Sequence, residues 1–203
     1  MKFYLEKRIL TAFVVVMLVL TSLGYLSFVN SKEFAKTSAL VSNTNEVLFH
    51  LQQSQSVAFE MEMLILKYII SGDTSFVNLY VKQAMAGSDH VKKIDALTLN
   101  DSVQQVNLDT LRSLGRRKIN YNKLVIQQRK ISAEAAQKLI PSARNAQIQN
   151  KIIATIESMK KNETDLMDSR IEQSEISYKK FNTTLSVLLI FVIVILCLVM
   201  FTM

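Results

Sequence analysis

Helix-breaking residues are scarce: one proline and four glycines occur in 203 residues, and only Gly72, Gly87, Gly115 and Pro141 stand outside the two most apolar runs. A sheet of short strands needs turns that this composition does not supply, so the expected fold class is all-α. Cysteine is scarcer still, with Cys197 alone, and an intramolecular disulfide is excluded. The two histidines, His50 and His90, fall on different expected helices. They offer neither a metal-ligand spacing nor a His-based triad, and each is read as a surface or flank residue. Neither a Gly-rich phosphate loop nor a strand-turn-helix nucleophile is present. The chain is therefore not expected to be an enzyme, and no cofactor or metal is expected.

What the sequence does have is two long uncharged runs. "ILTAFVVVMLVLTSLGYLSFV" covers 9–29, and no charged residue occurs from Leu185 to Met203. At ~1.5 Å per helical residue the second run reaches ~28 Å, about one hydrocarbon core. A cleaved signal peptide is the competing reading of the first run. That run is long for a signal and no A-x-A-like site closes it, so an uncleaved anchor is preferred. Lys2, Lys7 and Arg8 precede it and place the amino terminus in the cytoplasm. The expected organisation is a cytoplasmic terminus at 1–8, a first span at 9–29, an extracytoplasmic domain at 30–184 and a second span at 185–203. Both ends are then inside a bacterial inner membrane. Three of the 24 basic and one of the 17 acidic residues precede the first span, which leaves the outer domain about +5. Nucleic acid is not an expected partner on that side.

Within the outer domain, Val41, Thr44, Leu48, Leu51, Gln55, Ala58, Glu62, Ile65 and Ile69 recur in strict 3-4 alternation, a coiled-coil-like seam. Val47, Phe59, Met61 and Tyr68 widen the stripe. The seam stops at "SGD", where Gly72 suits the left-handed cap position and Asp73 or Thr74 can start the next helix. Helix two is expected over about 75–97, with Phe76, Leu79, Tyr80, Gln83, Val91 and Ile94 on one side. "TLND" is the second break. Helix three is expected over about 102–130, with Val103, Val106, Leu108, Leu111, Leu114, Ile119, Leu124 and Val125. Ser132 can cap a short helix, and Pro141 suits the first turn of a last one. That last helix repeats Ile148, Ile152, Ile156, Met159, Glu163, Leu166, Arg170 and Gln173. Rises and falls nearly cancel, which predicts an up-down four-helix bundle on two membrane helices.

Two polar features stand out. Seven basic residues and no acid lie between Arg112 and Lys130, read as a solvated helix face in preference to an anion-binding one. Gln55, Glu62, Glu163 and Arg170 interrupt apolar seams, where charged groups need partners and polar groups often set register or oligomeric state.

The stretch from Val41 to Leu111 carries Thr44 before an apolar helix, Glu62 followed by "YIISGD" (Tyr68, Gly72), then Phe76, Tyr80 and "LTLNDSVQQ". "IESMKKNETDLMDSR" adds Met159, Glu163, Leu166, Met167 and Arg170. Together these resemble the third CHASE family, the cyclase/histidine-kinase-associated extracellular sensory domains. Leu64 and Leu66 depart from the Gly and Arg common there. The resemblance implies a bacterial receptor input module, followed in the family by a cytoplasmic HAMP, histidine kinase, cyclase or methyl-accepting output. It implies no particular stimulus. The expected function is a membrane-anchored sensory input module, most simply of a sensor histidine kinase in a two-component system. A homodimer and a HAMP or kinase continuation are the expected partners. No output residues follow Met203, so the chain is expected to be the amino-terminal part of a longer receptor, and the alternative is an accessory subunit acting through a partner's membrane helix. The residues expected to matter for structure or signalling are Thr44, Gln55, Glu62, Tyr68, Gly72, Glu163 and Arg170.

Overall fold

The computed structural model describes residues 2–140 and 142–202, which form five helices: α1 (Lys2–Ser71), α2 (Ser75–Leu97), α3 (Ser102–Ile131), α4 (Ala133–Leu139) and α5 (Ala143–Thr202). No strand occurs among the described residues. Pro141, expected in the first turn of the last helix, lies outside the described residues, as do Met1 and Met203 at the outer ends of the two terminal segments.

Local chemistry places the breaks. Gly72 takes φ +75, where a side chain would be strained, and its N–H donates to the Tyr68 carbonyl at 2.8 Å. Arg129 braces the same turn: its Nε donates to the Ile69 carbonyl at 2.7 Å, and a Cβ on Gly72 would lie 2.7 Å from its Nη2. Of the two residues expected to start α2, Asp73 supplies the acceptor, taking the Ser75 N–H at 2.8 Å. Thr74 is already helical and makes no side-chain cap. Asp101 accepts from the Gln104 N–H at 3.0 Å to open α3, and Ser132 from the Ala135 N–H at 3.3 Å to open α4.

The chain divides into two compact units, Met1–Ser42 with Asp168–Met203, and Asn43–Met167. In the first, residues of α1 and α5 meet directly. Phe34 stacks on Phe181 with centroids 6.3 Å apart and tilts against Tyr178 at 5.6 Å. Asn30 donates to Thr184 Oγ1 at 2.8 Å, and Arg170 to the Leu40 carbonyl at 3.5 Å. Phe13–Ser71 and Arg144–Ile195 each contain a wholly unburied window long and apolar enough to cross a membrane. Thr21 and Ser22 turn their hydroxyls back onto the carbonyls of Met17 and Leu18, at 2.7 and 2.8 Å, so both are satisfied within the helix.

In the second unit all five helices share one core. Leu51 and Ile69 of α1, Ile94 of α2, Leu108 of α3, Ala136 of α4 and Ile156 of α5 are all buried in it. Each large aliphatic residue buried this fully contributes about 1.5–3 kcal/mol. Several expected core residues are outside it: Phe59, Leu79, Val103, Val106 and Leu124 are exposed. On α3 the inward seam runs Gln104, Leu108, Leu111, Gly115, Lys118, Asn122, Val125, again in 4-3 alternation, all buried but the half-buried Gly115, with Leu114 and Tyr121 beside it. Val103, Val106 and Leu124 lie off that line, and polar residues fill places that apolar ones were expected to hold.

Candidate functional site

The polar residues of the second unit's interior come from helices far apart in sequence. Lys118, 4 % exposed, puts its ammonium against Glu62 Oε2 of α1 and donates to Asn145 Oδ1 of α5 at 2.7 Å. Asn145 Nδ2 closes the ring by donating to Glu62 Oε1 at 3.1 Å and also reaches the Ile140 carbonyl at 3.1 Å. Desolvating an ammonium and a carboxylate is costly, and this closed geometry is what offsets the cost. Glu62 thus finds its partner on α3, not on its own helix, where Leu64 and Leu66 stand.

Gln104 forms a second bridge. Its Nε2 donates to the Met159 carbonyl at 3.1 Å and to Glu163 Oε1 at 3.0 Å, with both side chains buried. Gln55 forms a third, nearer the surface: it donates to Glu157 Oε1 at 2.6 Å and accepts from Lys160 at 2.6 Å. Thr44 is fully buried, and Tyr68 sits inside at 3 % exposure, one turn before Gly72. Arg170 belongs to the first unit, on the Leu40 carbonyl. Glu62 and Glu163 therefore bond to Lys118 and Gln104, neither of which was among the residues expected to matter for structure or signalling.

The histidines read as surface or flank residues also come together. His50 is buried, and its Nδ1 lies 3.0 Å from Nδ1 of His90. One nitrogen must donate and the other accept, so at least one ring is neutral. Burial, then Lys93 and His90, hold the His50 imidazole below its ordinary 6.5. Among the described residues, no group of three or more His, Cys, Asp or Glu is placed to hold a metal.

The expected solvated face on α3 holds for Arg116, Arg117, Lys123 and Lys130, which are exposed, and is corrected for the other three basic residues. Lys118 is internal, Arg129 braces the Gly72 turn, and Arg112 bonds Asp95 at 2.6 Å and Asp109 at 3.1 Å. The signal was present in the sequence: Lys118 sits on the seam, four residues before Asn122 and seven after Leu111. Reading α3 by its apolar residues alone hides it. Between α1, α2, α3 and α5 lies a cavity of about 300 Å³, with Lys118 in its wall.

The sequence profile of the CHASE3 domain matches residues 37–173. The chain belongs to the CHASE3 family. CHASE3 domains are extracellular sensory domains of signalling receptors, and the role is sensory, not catalytic. No curated protein and no solved structure matches the chain. The CHASE3 match takes in every residue expected to matter, from Thr44 to Arg170, together with Gln104, Lys118 and Asn145. Two helices long and apolar enough to span a membrane, together with a CHASE3 domain, fit a membrane protein.

Proposed function

We propose that the chain is a membrane-anchored sensory input module of a bacterial receptor with a histidine-kinase output, its domain at 30–184 outside the inner membrane as an up-down four-helix bundle. The observation that carries this reading is the CHASE3 match at 37–173, lying between two uncharged runs at 9–29 and 185–203. Lys2, Lys7 and Arg8 ahead of the first run support an inside amino terminus. Two copies pair in parallel through α1 and α5. On α1 the exposed Phe59, Met63 and Ile70 offer an apolar face for that pairing.

In this reading a stimulus favours one of two core packings, and it must bind the two unequally to transmit anything. α5 is helical from Ala143 to Thr202, so a displacement of ~1–2 Å in its packed part is conveyed along its length. The test grafts residues 1–203 ahead of the HAMP and kinase segments of a receptor with a transcriptional reporter. Substitutions within the Glu62, Lys118 and Asn145 ring are expected to shift the basal kinase output. A chimera that is expressed and inserted, yet keeps one output level through all of them, defeats the proposal.

A further inference from the structure

The 300 Å³ cavity arises where the core seams carry almost no side chain. Gly115 occupies a seam place on α3 between Leu111 and Lys118; Ala84 and Gly87 follow Tyr80 on α2 at the same 4-3 spacing; Ala58 stands on the α1 seam. The space is partly open to solvent on the side of Arg116, a pocket between the helices and not a sealed void. Nothing lies within 4 Å of a Cβ built on Gly115. The helix thus gives up propensity at a place where a larger side chain would fit.

The wall is mostly apolar, with cations at its polar part. Lys118 is nine-tenths buried, and its ammonium has three protons. One goes to Glu62 and one to Asn145, and the third has no acceptor among the described residues. Arg116, also in the wall, makes no hydrogen bond or ion pair among the described residues. Its neighbour Arg112 is taken up by Asp95 and Asp109.

We propose that this cavity binds a small monocarboxylate, its apolar body among Ala58, Ala84, Gly87 and Gly115 and its carboxylate met by Arg116 and the spare proton of Lys118. With ~30 Å³ as one water's share of liquid volume, the space holds about ten non-hydrogen atoms. Glu62 already neutralises Lys118, so Arg116 supplies the charge that the carboxylate requires. As the stimulus site of the module, the assignment rests on the sensory reading above.

The test titrates the full chain, in nanodiscs of zwitterionic lipid, with 3-phenylpropionate and with its uncharged isostere 3-phenylpropionamide, by calorimetry. The acid is expected to bind saturably, and the amide about tenfold more weakly, the scale of one charged hydrogen bond. Arg116→Ala should weaken the acid by a similar factor and leave the amide unchanged, and Arg116→Lys should restore part of the loss. Gly115→Leu fills the space from α3 and should abolish binding of both while the helical signal melts no earlier. Ala58→Leu is a second block, from α1, should the first variant not fold. No saturable binding of the acid, a folded blocked variant that binds as the wild type does, or equal binding of acid and amide overturns the proposal. Binding that leaves the kinase chimera unmoved faults the sensory reading and leaves the cavity assignment standing.

Discussion

Replacing Lys118 with Met removes an ammonium from a place where Glu62 and Asn145 both depend on it. Met keeps the length and most of the volume, so the packing change is small and the electrostatic change large. The Lys118 side chain is 5 % exposed and that of Glu62 23 %. Breaking one side of a buried pair costs about 3–5 kcal/mol, and water reaching part of Glu62 puts this case at the low end, about 3 kcal/mol. Glu62→Gln added to Lys118→Met should recover most of it. A glutamine there accepts from Asn145 Nδ2 and donates to Asn145 Oδ1, so an amide pair replaces the ion pair. The double-mutant cycle should show a coupling of about 2 kcal/mol. Urea unfolding of the detergent-solubilised chain, followed by circular dichroism, measures all four proteins. A single-variant loss below about 1 kcal/mol, as for an exposed pair, refutes the reasoning, as does a double variant no better than the single one.

The histidine pair predicts a pH dependence. The folded state holds His50 below its ordinary 6.5, so its contribution to stability is complete above that pH and is lost as pH falls through the folded value. Melting temperatures from pH 7.5 to pH 5 should fall, and His50→Gln should flatten the slope; an unchanged slope would show that other groups cause it. The glycines at 72 and 115 should respond oppositely to alanine. Gly72→Ala forces a Cβ into a left-handed backbone against Arg129, at a cost of about 1–2 kcal/mol. Gly115→Ala meets open space in a helix interior and should gain up to about 1 kcal/mol. Thermal unfolding of the two variants in the same detergent tests both signs at once.

The helix ends were legible in the sequence because they depend on residues within a turn or two: Gly72, the Thr98 to Asp101 break, and Ser132. The apolar stripe of α5, Ile148 to Met159, was legible for the same reason, since one helix carries the whole pattern. The interior contacts were not. Glu62 and Lys118 are 56 residues apart and His50 and His90 are 40 apart, and nothing local to either member marks its partner. α3 shows the limit within a single helix. Gln104, Gly115, Lys118 and Asn122 hold seam positions, so counting apolar residues there selects Val103, Val106 and Leu124, which face solvent. The seam polarity of Gln55 and Glu62 did point to partners, and what it lacked was their identity.

The ring of Glu62, Lys118 and Asn145 ties three helices at one height, and so acts as a register pin. Sliding α3 along α1 by one turn is a step of ~5.4 Å, which parts the ammonium from the carboxylate and leaves the buried ammonium unpaired. A domain pinned in this way resists the sliding of α3 along α1 at that height.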